Sequence, residues 1–142
     1  MNSNCVIGSI RHVSSMIDKF IAQEVKKMDY PISKKHILLF YLLPGDGDMM
    51  IFNVLCTKWG ISKSSLSDII NKYVDLGFVE KHECNNDKRV IYLRLTVKGE
   101  KIRKELINIE EGFKKKLFEG MDADQQKTFE TLLNQVEHNI DL

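Results

Sequence analysis

Lys63, Ser64, Ser67, Asp68, Asn71 and Lys72 recur at steps of three and four, the spacing that gathers side chains on one face of an α-helix. Small hydroxyls and an amide on such a face let a backbone approach phosphates while still donating to base edges, and lysines neutralise phosphate charge. Further along, Asn85, Asn86, Asp87, Lys88 and Arg89 make a second polar cluster. An arginine at the tip of a hairpin can enter a narrow A·T-rich minor groove, where negative potential is concentrated. Asp87 is close enough in sequence to hold the Arg89 guanidinium in a forked pair and set its direction. Both features also have plainer accounts. The helix face would suit an ordinary solvated helical hairpin, and the Asp87–Arg89 pair could simply stiffen a turn.

Other chemistry finds little support. There is no Gly-rich phosphate loop, nucleophile elbow or paired-carboxylate constellation, so the sequence does not read as an enzyme. Cys5, Cys56 and Cys84 are odd in number and share no C-x-x-C spacing, which points to neither a disulfide framework nor a zinc site. Cys56 reads as a core residue. Cys84 should be exposed on the hairpin, where Lys81 and Lys88 could favour its thiolate, making it either a redox-reactive thiol or an incidental surface cysteine. His12, His36, His82 and His138 show no metal-ligand spacing, and neither a metal nor a cofactor is expected. Met16, Phe20, His36 and Phe40 could line a pocket for a small effector, although apolar and aromatic residues at helical spacing suit a core equally.

The elements that must carry these groups follow from periodicity and breakers. Ile7, Ile10, Val13, Ile17, Ile21, Val25 and Met28 form the stripe of a long first helix, ended by Tyr30-Pro31. Ser33 is placed to cap a second helix through Ile37, Leu38, Tyr41 and Leu42. Residues 44–48, Pro-Gly-Asp-Gly-Asp, make a loop, and a short third helix runs from about Met50 to Trp59. After Gly60, Ser62 can cap a fourth helix with Leu66, Ile69, Ile70, Tyr73 and Leu76 inside, which Gly77 ends. Two strands follow, at residues 78–82 and 90–95, with a polar tip between them. Thr96 can cap a fifth helix with the stripe Ile102, Leu106, Ile109, Phe113 and Leu117. Asp122 and Gln125 have the layout of a capping box for a sixth, carrying Phe129, Leu132, Leu133, Val136 and Ile140.

A short helix, a glycine turn, a polar-faced helix and a two-stranded ribbon together describe a winged helix-turn-helix. The fold class expected is therefore mainly α, of the α+β kind, with helical extensions at both ends. Charge supports this order: residues 58–104 carry 11 basic and 6 acidic side chains, whereas residues 105–142 carry 4 and 9. With 142 residues, 43% of them apolar and 29% charged, the chain has the composition of an ordinary globular protein. Its longest apolar runs, residues 37–43 and 49–56, fall well short of the ~20 residues a bilayer span needs. No secretory leader is legible at the start, and a cytoplasmic location is expected.

The residues also carry a resemblance. Leu66 to Gly77 followed by Phe78-Val79-Glu80-Lys81, then Asp87-Lys88-Arg89, then Leu95-Thr96-Val97-Lys98-Gly99, resembles the MarR family of bacterial transcriptional regulators. In that family the recognition helix runs into a leucine, two residues, glycine, leucine or phenylalanine, valine stretch, and the wing carries Asp-x-Arg before Leu-Thr-x-x-Gly. The resemblance implies a homodimer with a dimerisation helix over residues 1–30, a DNA-binding winged helix over 31–100 and C-terminal dimerisation helices over 101–142. It further implies a duplex DNA partner with a pseudo-palindromic operator, repression, and release by a small-molecule or redox effector. Ser64, Ser67 and Lys72 on the helix and Asp87 and Arg89 on the wing carry over as DNA contacts. Ser62, Lys63, Asn71 and Lys88 join them from the reading of the polar face and tip. Three positions depart from the family pattern: Asp68 stands where arginine is usual, Cys56 where alanine is, and Lys81 where arginine often is. The alternative from another class is a winged-helix antirepressor that binds protein and not DNA.

Overall fold

A computed structural model describes residues 5–141. Its elements run α1 (Val6–Lys27), a 3₁₀ turn (Lys34–His36), α2 (Ile37–Leu42), β1 (Met50–Ile51), α3 (Phe52–Trp59), α4 (Lys63–Asp75), β2 (Val79–Glu83), β3 (Ile91–Leu95), α5 (Val97–Leu117) and α6 (Ala123–Ile140). Two compact units result, one ending at Ile109 and one beginning at Glu110.

The first unit holds the helix-turn-helix and the wing. Leu39, Phe40, Leu43, Leu55, Leu66, Ile70, Tyr73, Leu93, Ile102 and Leu106 are buried completely or nearly so, joining α2 to α5 and β3 in one core. Ile21 and Val25 bring the C-terminal half of α1 into it. The strands form an antiparallel sheet in the order β1-β3-β2. Val79 opposite Leu95 and Lys81 opposite Leu93 fix the wing's register, and Val79, Leu93 and Leu95 turn to the core.

Most of the expected local signals are found. Ser62 caps α4 through Ser65 N–H, and Asp122 and Gln125 form the reciprocal capping box of α6. Gly60, Gly77 and Gly120 take the left-handed conformation that closes a helix without a Cβ penalty. Three details differ. Met50 and Ile51 are a strand paired with Leu93 and Tyr92 rather than the start of α3, because two apolar residues have no period of their own and the free edge of β3 recruits them. The Ser33 hydroxyl caps nothing; its backbone N–H instead donates to the Tyr73 hydroxyl at 3.2 Å. Strand β2 is displaced by one residue, beginning at Val79, because the N–H of Phe78 is taken by the Tyr73 carbonyl at the end of α4.

In the second unit, the end of α5 and α6 meet through Phe118, which is buried edge-on against Phe129 at 5.6 Å. Lys114 and Glu130 face each other at 3.8 Å. Leu132, Leu133, Val136 and Ile140 remain between 42% and 68% exposed within the chain.

Candidate nucleic-acid interface

Helix α4 is positioned by its apolar face. Leu66, Ile70 and Tyr73 fall on one side at steps of four and three and are buried, so Ser64, Asp68, Asn71, Lys72 and Asp75 must point away from the core. Ser62 starts the helix, but its hydroxyl accepts from Ser65 N–H at 3.1 Å and donates to Ser65 Oγ at 2.9 Å. Its role is thus that of a cap that frames the helix end. Lys63, Ser64 and Ser67 line a hollow of about 330 Å³ shared with Phe52, Lys81 and Ile91, where the helix meets the wing. Lys72 is exposed, with its ammonium 5.5 Å from the centre of the Tyr73 ring.

Lys81, which sequence reasoning did not count among the contacts, connects the two parts. Its ammonium donates to Asn71 Oδ1 at 2.9 Å, tying β2 to α4 across ten residues of sequence. Only the alternation of β2 signalled it: Val79 is buried and Lys81 projects near the helix, a relation that requires the tertiary arrangement. Asn71, read as a base contact, presents only its amide N–H₂ freely, because its oxygen accepts from Lys81.

On the wing, the N–H of Cys84 donates to the Val90 carbonyl at 3.0 Å and closes the neck of the tip. Cys84 is accordingly half-buried, correcting the expectation of an exposed thiol: it lies at the neck, not on the tip. Cys56 is buried, and Cys5 is exposed as the N-cap of α1, its sulfur accepting from Gly8 N–H at 3.2 Å. Beyond the neck, Arg89 donates from Nε to Asp87 Oδ1 at 3.1 Å and from Nη2 to Oδ2 at 3.4 Å. The Arg89 backbone N–H also donates to Oδ1, at 3.0 Å. These bonds hold the Asp87 carboxyl below its ordinary pKa. They also aim a guanidinium that keeps 91% of its side-chain surface exposed, with Lys88 exposed beside it. At the wing's base, Glu80 accepts from Arg94 Nη2 at 2.7 Å and pairs with His82 at 3.0 Å; Arg94 and His82 both hold its carboxyl below the ordinary 4.5.

The charge on this face is uneven. In α4, Lys63 and Lys72 are balanced by Asp68 and Asp75, so the helix brings no net charge to a polyanion. At the wing Lys81, Lys88 and Arg89 outnumber Glu83 and Asp87, so residues 81–89 bring a net charge of +1.

The four residues read as an effector pocket fare differently. Phe40 is fully buried, packing on Tyr73 at 5.7 Å and Phe78 at 6.3 Å, and so has no surface to offer a ligand. Met16 is 49% exposed on α1, and Phe20 is half-buried. His36 stacks edge-on to Tyr73, its Nδ1 2.9 Å from the phenol oxygen. Since Tyr73 Oη already accepts from Ser33 N–H, a neutral His36 with its proton on Nε2 lets the phenol donate to Nδ1 and satisfies every group.

Burial first, then Lys72 and Lys35, lower the His36 pKa below its ordinary 6.5. The sign of the consequence is definite. The folded chain binds fewer protons at His36 than the unfolded chain, so stability present above about pH 6.5 is lost as pH falls through the folded pKa. Thermal melts are expected to show a midpoint that falls as pH drops below about 6.5, the ordinary pKa of the ring. His36→Gln should flatten that slope; equal slopes in both proteins would refute this role for the ring.

Helix, tight turn, polar-faced helix and three-stranded wing define the class: this is a winged helix-turn-helix protein. The model of the MarR family matches residues 30–90. That match lies over the helix-turn-helix and the wing of this chain. Among similar proteins, the uncharacterized HTH-type transcriptional regulator YsmB of Bacillus subtilis (strain 168) is 26% identical over 132 residues, 93% of this chain and 88% of the relative. Wild-type MarR from E. coli in its apo form superposes with a TM-score of 0.76 at 20% identity, covering 96% of this chain and 98% of that one. FabT of Streptococcus pneumoniae in complex with DNA gives 0.77 at 16% identity, over 96% and 98%. YsmB is described as a transcriptional regulator, and FabT was solved bound to DNA. Among the described residues, no group of His, Cys, Asp and Glu could hold a metal ion, and no helix is long and apolar enough to cross a membrane.

Proposed function

We propose that this chain is a cytoplasmic, DNA-binding transcriptional regulator that acts as a homodimer, most simply as a repressor occupying a pseudo-palindromic duplex site. The observation that carries the reading is the Arg89 guanidinium, aimed outward by Asp87 on a wing that Lys81 ties to the polar face of α4. One face thus offers a helix of major-groove size and an arginine beside it at minor-groove reach, the division of labour winged helices use on duplex DNA. FabT, of like fold, has been captured with DNA. The test is binding to duplex DNA over a range of salt. Affinity should fall linearly on logarithmic axes, with a slope of about −0.9 per phosphate neutralised.

One feature supports the alternative of a protein-binding antirepressor, namely the charge-neutral α4 with Asp68 in the middle of its exposed face. Absence of salt-dependent DNA binding at physiological ionic strength would favour that account.

Dimerisation rests on apolar surface. Val6, Ile7, Ile10, Val13 and Met16 on α1 are between 42% and 70% exposed, as is the α6 stripe. Such contiguous stripes are costly in water, and a two-fold pairing would cover them. Residues 1–30 and 101–142 are assigned to that pairing and 31–100 to DNA. Light scattering at micromolar concentration should give about twice the 16.5 kDa of one chain; a mass near one chain would contradict the assignment. Release by a small-molecule or redox effector completes the reading, with Met16, Phe20 and His36 the residues at hand for the first and Cys84 for the second.

A further inference from the structure

Asn71 and Lys81 come from different elements and meet where the helix joins the wing. Asn71 follows Ser64 and Ser67 at steps of seven and four, on the polar face of α4. Lys81 shares its face of β2 with the buried Val79, since residues two apart on a strand point the same way. Its stem helps line the hollow that Phe52, Ile70 and Ile91 also line, an apolar surface along which a lysine can lie while its charged end stays in water. The ammonium that emerges donates to Asn71 Oδ1 at 2.9 Å, and both residues are exposed.

This contact fixes which chemistry the pair can offer. An ammonium carries no acceptor, so the amide atom that faces it must be the oxygen. Among the described residues, no carboxylate forms an ion pair with Lys81. Two N–H groups of the ammonium and the N–H₂ of the amide therefore remain for a partner. An asparagine amide left to itself matches adenine, accepting from N6 and donating to N7. Here an adenine amino group that approached Oδ1 would meet a positive charge already bonded to it. The combined edge of Asn71 and Lys81 offers donors alone, and guanine is the base whose major-groove edge presents two acceptors, O6 and N7, side by side.

We infer that Asn71 and Lys81 form one reading unit for guanine in the major groove, and that Lys81 determines the choice of base by turning the asparagine from an adenine reader into a donor. The inference rests on the proposed DNA binding and deepens it, naming one base in each half-site and the two side chains that select it. A Lys81 that merely tethered the wing to the helix would leave base preference unchanged when replaced. The hydrogen bond lies in water and adds little to folding, so variants at either position should melt close to the wild type.

The test is selection of duplex sites from a random library by the full chain. Wild-type protein should select a guanine in each half-site at a position whose preference disappears in Asn71→Ala. In Lys81→Met the same position should change to adenine, because Oδ1 is released, whereas Lys81→Arg, which keeps both charge and donors, should retain guanine. On the wild-type site, 7-deazaguanine at that position, which lacks the N7 acceptor, should weaken binding by the wild-type protein about tenfold. Adenine at the Asn71-dependent position in the wild type, guanine kept at full preference in Lys81→Met, or unchanged affinity for the 7-deazaguanine site would each overturn the inference while leaving DNA binding intact. Failure of the wild-type protein to enrich any duplex would instead remove the DNA-binding reading, and this inference with it.

Discussion

Gly99→Ala is expected to destabilise the winged module more than any other single methyl addition. Gly99 lies in the first turn of α5, and a Cβ there would run into the backbone carbonyl of Phe78, with the Leu95 side chain 3.2 Å away. Backbone yields poorly, and this stretch is held from several sides. The Phe78 carbonyl accepts from Thr96 N–H at 3.0 Å, while Thr96 Oγ1 donates to the Gly77 carbonyl at 2.6 Å and accepts from Gly99 N–H at 3.1 Å. The Phe78 ring is packed against Tyr30 at 6.2 Å and Phe40 at 6.3 Å. Overpacking a site of this kind costs about 3 kcal/mol or more, against which alanine's better helix propensity returns about 1. A net loss of about 2–3 kcal/mol should lower the melting temperature by roughly 5–12 °C. Gly112→Ala, further along α5 where no atom stands within 4 Å of a Cβ, should raise it instead. A Gly99→Ala protein that melts within about 2 °C of the wild type would show that the close approach is not needed.

The second large effect is expected on DNA affinity. Arg89→Ala removes a guanidinium that is 91% exposed and already oriented by Asp87, so little ordering cost offsets what it gains on DNA. In a minor groove it senses width and potential more than base identity. Specific and non-specific binding should then weaken together, by about tenfold, and the salt slope should flatten by about one. Ser67 sits where the helix meets the wing and carries no charge. Ser67→Ala should lower the ratio of specific to non-specific affinity by about 1 kcal/mol and leave the salt slope alone. If Arg89→Ala changes neither affinity nor slope, the wing does not touch DNA. If Ser67→Ala is silent as well, α4 is not the reader and the antirepressor account becomes the better one.

The boundary between what the sequence determined and what it did not runs along sequence distance. Ser62, Asp122, Gly60, Gly77 and Gly120 act within their own turns: a cap satisfies N–H groups three residues away, and a left-handed closure needs only a missing Cβ. The 3.6-residue stripes fixed which faces of α4 and α5 go inside, since any burial of Leu66, Ile70 and Tyr73 exposes Ser64, Asp68 and Asn71. The Asp87–Arg89 fork was legible for the same reason, both partners lying on one short loop. By contrast, β1 exists only because β3 offers an edge, and Ser33 turns its N–H to Tyr73 across 40 residues. Lys81 finds Asn71 and Arg103 lies against Gly45 by packing alone. The motif Leu-Thr-x-x-Gly could be matched in the sequence, but its purpose appeared only in the fold: Thr96 holds the carbonyl of Gly77 and caps the helix, and Gly99 leaves room for Phe78. Local signals are legible because the groups that satisfy them are neighbours in the chain. Long-range partners are chosen when buried polar groups compete for the acceptors and space that the packed core leaves, and that competition is settled only in three dimensions.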